Sequence, residues 1–206
     1  MYSQNSEELI LQEILGDNFS GTVLSLGENS GVHLSNVRLL MEKGASGVLV
    51  EPSITAFKQL IQNYWGNGNA HLFRVAISDK CGIVTFYESG THLGKGDISL
   101  LSSINHEELN KWKHSNNEFV QISTPVWDFK TLLEHSPIKK FNVISIDIEG
   151  QDLCVLKQMN LTELECKVLV IEWNSNPEIK NEITEYVSKF GMKLYHQNGE
   201  NLIFCI

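Results

Sequence analysis

From residue 22 to the C-terminus, apolar runs alternate with segments of helical period. Val23–Gly27 (VLSLG) is a short apolar run closed by glycine, which predicts a buried strand. Leu34–Lys43 follows with Leu34, Val37, Leu40 and Met41 at helical spacing. Gly47–Glu51 (GVLVE) is a second apolar run and ends in an acid. Thr55–Tyr64 predicts a helix with Phe57, Leu60, Ile61 and Tyr64 on one face. Leu72–Ile77, Val143–Ile148 (VISIDI) and Val168–Trp173 (VLVIEW) are the third, fourth and fifth strand candidates. Helix candidates lie at Asp128–His135 and Asp152–Met159. The chain then reads as helix (Ile183–Phe190), strand (Lys193–His196), an Asn-Gly turn and strand (Asn201–Cys205), a hairpin signal.

Strands alternating with helices predict βαβ units and a parallel α/β sheet, with the closing hairpin adding an antiparallel strand at one edge. Near-continuous apolar strands fit a sheet covered on both faces. Residues 88–118 break the rhythm with Gly90, Gly94, Gly96, a serine cluster (Ser99, Ser102, Ser103) and His92, His106 and His114. Such a stretch predicts an insertion near the mouth of an active site. At 206 residues, one domain spanning 1–206 is expected, with no room for a separate substrate domain. Acceptor choice would then come from the insertion or from a partner.

Composition narrows the classes. The net charge of −9, from 16 Lys+Arg and 25 Asp+Glu, argues against a phosphate-tracking nucleic-acid surface. No run of about 18 apolar residues marks a membrane span. Met1–Leu15 carries Glu7, Glu8 and Glu13 without Lys or Arg, unlike a secretory signal. Cys81, Cys154, Cys166 and Cys205 form no CxxC pair, and Cys154 and Cys166 sit in apolar contexts, so buried thiols and a reducing cytoplasm are expected.

The chemistry gathers at predicted strand ends. Gly27-Glu28-Asn29-Ser30-Gly31 joins a strand to a helix, where backbone can approach a ligand and free N–H groups face it. The spacing is not the G-x-G-x-x-G of dinucleotide binders, and a plain tight turn is the competing reading. Glu51, 20 positions after Gly31, is placed to accept hydrogen bonds from ribose hydroxyls; Pro52 ends the strand and Ser53 can cap the next helix. Asp147 and Glu149 fall on one side of the fourth strand by alternation, and Glu172 ends the fifth. Carboxylates in apolar strands need work or partners, and capping the helix near Asp152 is the plainer alternative. Three oxygen donors suit a hard cation, but no ligand spacing signals a metal.

Together these segments resemble an FkbM-type S-adenosylmethionine-dependent methyltransferase. The likeness runs through Ser3-Gln4 and Glu7-Glu8, VLSLGENSG at 23–31, His33-Leu34-Ser35-Asn36, Gly47–Pro52, Val75–Asp79 with Gly82, VISIDIEGQDLCVL at 143–156, Val170-Ile171-Glu172 and Asn201–Phe204. It departs at Ser25, where the family usually has Asp, at Glu28, where it has Ala, and at Asp152, where it has Glu. Glu28 is a candidate replacement for the missing charge.

The resemblance implies a Rossmann-like class I methyltransferase fold, a doubly wound, mostly parallel seven-stranded sheet. It implies S-adenosylmethionine as cofactor and S-adenosylhomocysteine as product. Gly27, Glu28, Asn29 and Gly31 would hold the methionine end, with Ser35 and Asn36 in the first helical turn lining the same cavity. Glu51, beside Pro52, would bind the ribose. Ala76 and Ile77 would lie against adenine, with Asp79 near its amino group. Asp147 would sit between cofactor and acceptor and, aided by Glu149 and Glu172, take the acceptor's proton; His92 and His106 are alternative bases.

The expected acceptor is a sugar hydroxyl of a glycan or glycoconjugate, a deoxysugar such as rhamnose or fucose, with Trp112, Trp127 and Trp173 as nearby aromatics. A polyketide-like or other small-molecule hydroxyl is the alternative acceptor. A nicotinamide-dependent oxidoreductase would share the sheet but lacks the glycine fingerprint; a non-catalytic Rossmann-like binding module is favoured by Ser25 alone. The chain could also be one module of a larger glycan-synthesis polypeptide.

Overall fold

The computed structural model describes residues 1–90, 99–106 and 119–206. Helices are α1 (Glu7–Leu15), α2 (Arg38–Glu42), α3 (Ile54–Asn63), α4 (Phe129–His135), α5 (Asp152–Leu156) and α6 (Pro177–Ser188). Strands are β1 (Thr22–Leu26), β2 (Ser46–Val50), β3 (Ala70–Phe73), β4 (Ala76–Ile77), β5 (Gly82–Ser89), β6 (Phe119–Trp127), β7 (Val143–Ile146), β8 (Val168–Glu172), β9 (Lys193–Gln197) and β10 (Asn201–Cys205).

Seven strands form the main sheet in the order β3-β2-β1-β7-β8-β10-β9. The first five are parallel, and β10 runs antiparallel to both β8 and β9. Strand order reverses between β1 and β7, the point at which doubly wound sheets bind ligands beyond their carboxyl ends.

Alternation along the central strands divides the core in two. Leu24, Leu26, Ile144, Ile146, Leu169 and Ile171 face α4, α5 and α6 through Leu132, Val155, Ile183 and Val187. Val23, Leu49, Val143, Val168 and Val170 face α1, α2 and α3 through Leu11, Leu40 and Leu60. Burial on both faces explains why these strands read as unbroken apolar runs.

The structure departs from the sequence pattern where side chains redirect the backbone. The predicted helix from Leu34 begins only at Arg38, because Leu34 is left-handed (φ 59°) and the Ser35 hydroxyl accepts the Arg38 N–H at 3.0 Å. Ser35 and Asn36 therefore precede the helix. The predicted strand Leu72–Ile77 breaks in two. Glu51 N–H donates to Phe73 O at 3.0 Å, and Pro52, lacking an N–H, ends the ladder. Ala76–Ile77 then pairs with Val126–Trp127 in a second, three-stranded sheet ordered β4-β6-β5.

The antiparallel β5–β6 ribbon was not legible as strands: Ile83 and Val120 are exposed while Phe86 is buried, so no long apolar run marks it. It frames the predicted insertion, which starts inside β5. Residues 91–98 and 107–118, with His92, His114 and Trp112, lie outside the described residues. Helix α6 runs over Pro177–Ser188 rather than the expected Ile183–Phe190: Asn176 caps it and Pro177 suits its first turn, while the polar first turns carry no apolar signal of its start.

Candidate active site

A cavity of about 300 Å³ opens at the carboxyl ends of β1, β2, β7 and β8, at the size where small-molecule sites begin. The close approach of β1 and β7 builds its floor. Gly27 N–H and Glu28 N–H both donate to Val50 O, and Asp147 N–H donates to Leu26 O at 3.0 Å. Gly27 has φ 82°, and a Cβ there would be driven into the carbonyl oxygen of Asp147.

Glu51 is buried at the end of β2. Its Oε2 accepts Asn29 N–H at 2.9 Å and its Oε1 accepts Ser53 N–H at 2.8 Å. Ser53 also caps α3 through Ala56 N–H at 3.0 Å. Each carboxylate oxygen keeps a further lone pair for a ligand hydroxyl. Burial pushes the Glu51 carboxyl up to about 7 against those two hydrogen bonds, with Glu28 and Glu88 adding to the rise.

Glu28 is 3% exposed and also lines the cavity. Its Oε1 accepts the Ser35 hydroxyl at 2.6 Å, and Ser25 provides a second hydroxyl. Burial raises this carboxyl to about 7 despite those hydroxyls and the charge of Arg38. An acid displaced by three positions along the chain is thus folded back against Ser25.

Asp147, Glu149 and Glu172 meet across the far side of the cavity, with one carboxylate oxygen from each lying within 4.8 Å of the others. Strand alternation does not bring them together. Strand β7 ends at Ile146, and a turn with Glu149 at φ 49° and Gly150 at φ 92° carries the two acids past it. The helix near Asp152 has Gln151 at its N-cap with no side-chain cap; Asp152 instead reaches back, its two oxygens accepting Ile148 N–H at 3.0 Å and Gly150 N–H at 3.1 Å, and so shapes that turn. Desolvation raises Asp147 to about 7, reinforced by the negative charges of Asp152, Glu200 and Glu7. Desolvation first, then Asp147, Glu149 and Asp152, raises Glu172 well above the ordinary carboxylate range.

Of the other expected residues, Pro52, Ala76 and Ile77 line the cavity, the last two beside Val75 and Phe86 on an apolar wall. Gly31, Ser35 and Asn36 do not line it. Gly31 (φ 75°) lies against Leu60 and Tyr64, and Asn36 donates to the Ser145 hydroxyl at 3.1 Å behind the wall. Asp79 is exposed and accepts from Ser78 at 3.3 Å, away from the cavity. His106 is exposed and packs edge-on against Tyr87. Trp173 is buried with its Nε1 donating to Asn198 O at 3.0 Å, and Trp127 stacks on His135, so these two indoles serve packing.

Other residues line the cavity as well. Ser99–Ile104 roofs it, held by Ser103 Oγ donating to Glu149 O at 2.8 Å and Ser89 N–H donating to Ser102 Oγ at 2.8 Å. Gln4, His33, Asn174, Glu200 and Asn201 complete the polar side. The N-terminal segment reaches this side through Glu7, which is fully buried and accepts Asn5 N–H at 2.8 Å, Asn198 Nδ2 at 2.7 Å and Asn201 Nδ2 at 2.9 Å. Its carboxyl is held below the usual range, the hydrogen bonds outweighing the upward push of burial. The sequence signals for this side were the family likeness at Ser3-Gln4, Glu7-Glu8, His33 and Asn201.

Non-glycine residues with positive φ gather at the cavity: Asn29 (52°), Leu34 (59°), Glu149 (49°) and Asn174 (50°). Such conformations cost energy, least for Asn, and concentrate at ligand sites.

The sheet order, the switch-point cavity and the acid at the tip of β2 define a class I S-adenosylmethionine-dependent methyltransferase fold. Solved structures agree on the fold. A candidate RNA methyltransferase, PH1948 from Pyrococcus horikoshii, is similar with a TM-score of 0.51 and 16% identity over 97% of this chain and 80% of its own. The METTL16 methyltransferase domain gives 0.52 and 9% over 96% of this chain and 64% of its own. No curated protein matches the chain. The methyltransferase FkbM domain model matches residues 25–194, and the chain belongs to that family.

Among the described residues, no helix is long and apolar enough to cross a membrane.

Proposed function

We propose that the chain transfers the methyl group of S-adenosylmethionine to a hydroxyl of a sugar in a glycan or glycoconjugate. The observation that carries this reading is the division of one cavity. Glu51 stands on one side with lone pairs free for ribose hydroxyls. Asp147, Glu149 and Glu172 stand on the other, among Asn174 and Asn201, as acceptors for a hydroxyl-rich molecule.

The residues fit the cofactor. Val75, Ala76 and Ile77 supply an apolar wall for adenine, and Glu51 the ribose acceptor. The Gly27–Asn29 loop leaves room for the methionine end, and the Glu28 carboxyl supplies a negative charge for its ammonium. The cofactor supplies an electrophilic methyl on a sulfonium. With the cofactor bound, that methyl would pass to the acceptor oxygen as the S–CH₃ bond gives way to the O–CH₃ bond, with S-adenosylhomocysteine as product. Asp147 accepts the hydroxyl proton. A carboxyl poised near 7 is well matched to that task, and the neighbouring acids keep its proton affinity high. Alignment of the oxygen supplies much of the acceleration.

A deoxysugar such as rhamnose or fucose is the preferred acceptor. The cavity combines acids with an apolar patch of Phe86, Leu101 and Ile104 that would meet a sugar's methyl face. The same patch favours, as second reading, a polyketide-like or other small-molecule hydroxyl. RNA, named for PH1948, fits poorly with a net charge of −9. The reading extends to the cytoplasm, in keeping with four free cysteines, and to action within a larger glycan-building polypeptide.

The test is a methyl-transfer screen of free and oligomeric sugars, with small-molecule alcohols alongside, read by the mass gained when CH₃ replaces H. Methylation of a sugar is expected. Isothermal titration with S-adenosylmethionine and NAD runs beside it, and absent binding, or tighter binding of NAD, overturns the reading.

A further inference from the structure

We propose that Asp147, Glu149 and Glu172 together hold a hard divalent cation, of the magnesium, manganese and calcium class, at the acceptor end of the cavity. The first observation is geometric. Three carboxylate oxygens, one from each residue, lie within 4.8 Å of one another. Oxygens bound about 2.3–2.6 Å from one cation stand at most about 5 Å apart, on its opposite sides. All three can therefore reach a single ion with little rearrangement.

The second observation is a missing partner. The Glu172 carboxyl has the Asn174 side chain as a hydrogen-bonding neighbour, but its Oε2 is sealed from solvent and has no hydrogen-bond donor of its own. A buried oxygen without a donor costs on the order of 1–3 kcal/mol, and more when charged. The charges acting most strongly on Asp147 and Glu172 are all acids: Asp152, Glu200 and Glu7 on the one, Asp147, Glu149 and Asp152 on the other. Asp152 meanwhile is occupied with the N–H groups of Ile148 and Gly150 and is not needed as a ligand. An oxygen-seeking cation is the partner whose chemistry answers both the concentrated negative charge and the orphaned oxygen.

The consequence for catalysis rests on the methyl-transfer reading above: one Asp147 oxygen would hold the cation and its second oxygen would accept the hydroxyl proton. Coordination positions left open to the cavity would take acceptor oxygens, such as two adjacent sugar hydroxyls, and lower the pKa of the one that is methylated.

The experiment is a Mn²⁺ titration of the full chain, without cofactor, followed by electron paramagnetic resonance and by thermal melting. Expected are one bound Mn²⁺ per chain, a raised melting temperature, and competition by Mg²⁺ or Ca²⁺. Glu172→Gln should weaken Mn²⁺ binding by at least about tenfold, and Glu149→Gln, on the turn beyond β7, should do the same if Glu172→Gln does not fold. Glu163→Gln, an exposed acid elsewhere, should bind like wild type. A wild-type chain that leaves the Mn²⁺ spectrum unchanged at millimolar metal overturns the site, as do folded variants that bind unaltered. Methyl transfer that persists in chelator, with no Mn²⁺ bound, overturns the cation alone. Failure to bind S-adenosylmethionine overturns the proposed function and leaves the Mn²⁺ titration standing by itself.

Discussion

Gly27 lies against the main-chain carbonyl of Asp147, in the space that any Cβ would fill. The contact joins the ends of β1 and β7 and places the Gly27–Asn29 loop beside Asp147. Gly27→Ala combines a left-handed φ with a backbone clash. It should cost at least about 2–3 kcal/mol and abolish cofactor binding. Denaturant unfolding and calorimetric titration check the two effects.

Glu51 ties the Asn29 and Ser53 N–H groups together and faces the cavity. Glu51→Ala leaves both donors unpaired and removes the ribose acceptor. Affinity for S-adenosylmethionine should fall by roughly 10–100-fold. Glu51→Gln, which keeps one acceptor oxygen, should lose less. Titration calorimetry ranks the three proteins.

Asp147→Asn keeps the shape of the side chain and removes its capacity as a base. Cofactor affinity should stay within a few-fold of wild type while kcat on the true acceptor falls by about 10²–10⁴-fold. Full activity of this variant would remove Asp147 from the role assigned to it. A pH–rate profile of the wild type should rise through the region near 7 as the carboxyl loses its proton.

Glu28, Glu51 and Asp147 are each raised to about 7. The folded state therefore holds protons that the unfolded chain gives up near 4 to 4.5. Their contribution to stability is fully present below those unfolded values and is lost as pH climbs through 7. For Glu28 and Glu51 it amounts to on the order of 3 kcal/mol each. The free protein should melt at a higher temperature at pH 5.5 than at pH 8, and Glu28→Gln should flatten that difference. Differential scanning calorimetry across this range measures it.

Alternation and composition alone determined the parallel core. The runs Val23–Gly27, Gly47–Glu51, Val143–Ile148 and Val168–Trp173 announce the strands because strands buried on both faces must be apolar throughout, although the fourth strand stops at Ile146 and the fifth at Glu172. Local rules were likewise enough for the Ser53 cap and the closing hairpin, since those signals lie within a few residues of what they govern. Tertiary structure alone decided the rest. The β5–β6 ribbon is stabilised by cross-strand pairing rather than by a continuous buried face, so its pattern stays mute. Leu34 looked helical by spacing but turned left-handed where the Ser35 hydroxyl caps Arg38. The acids of β7 and β8 were visible as strand-end carboxylates. Their convergence required the turn that Asp152 holds together, and no spacing along the chain encodes a distance across a sheet. The same holds for Gln4 and Glu200, which line the cavity from opposite ends of the sequence because Glu7 in α1 binds Asn198 and Asn201 at the β9–β10 turn.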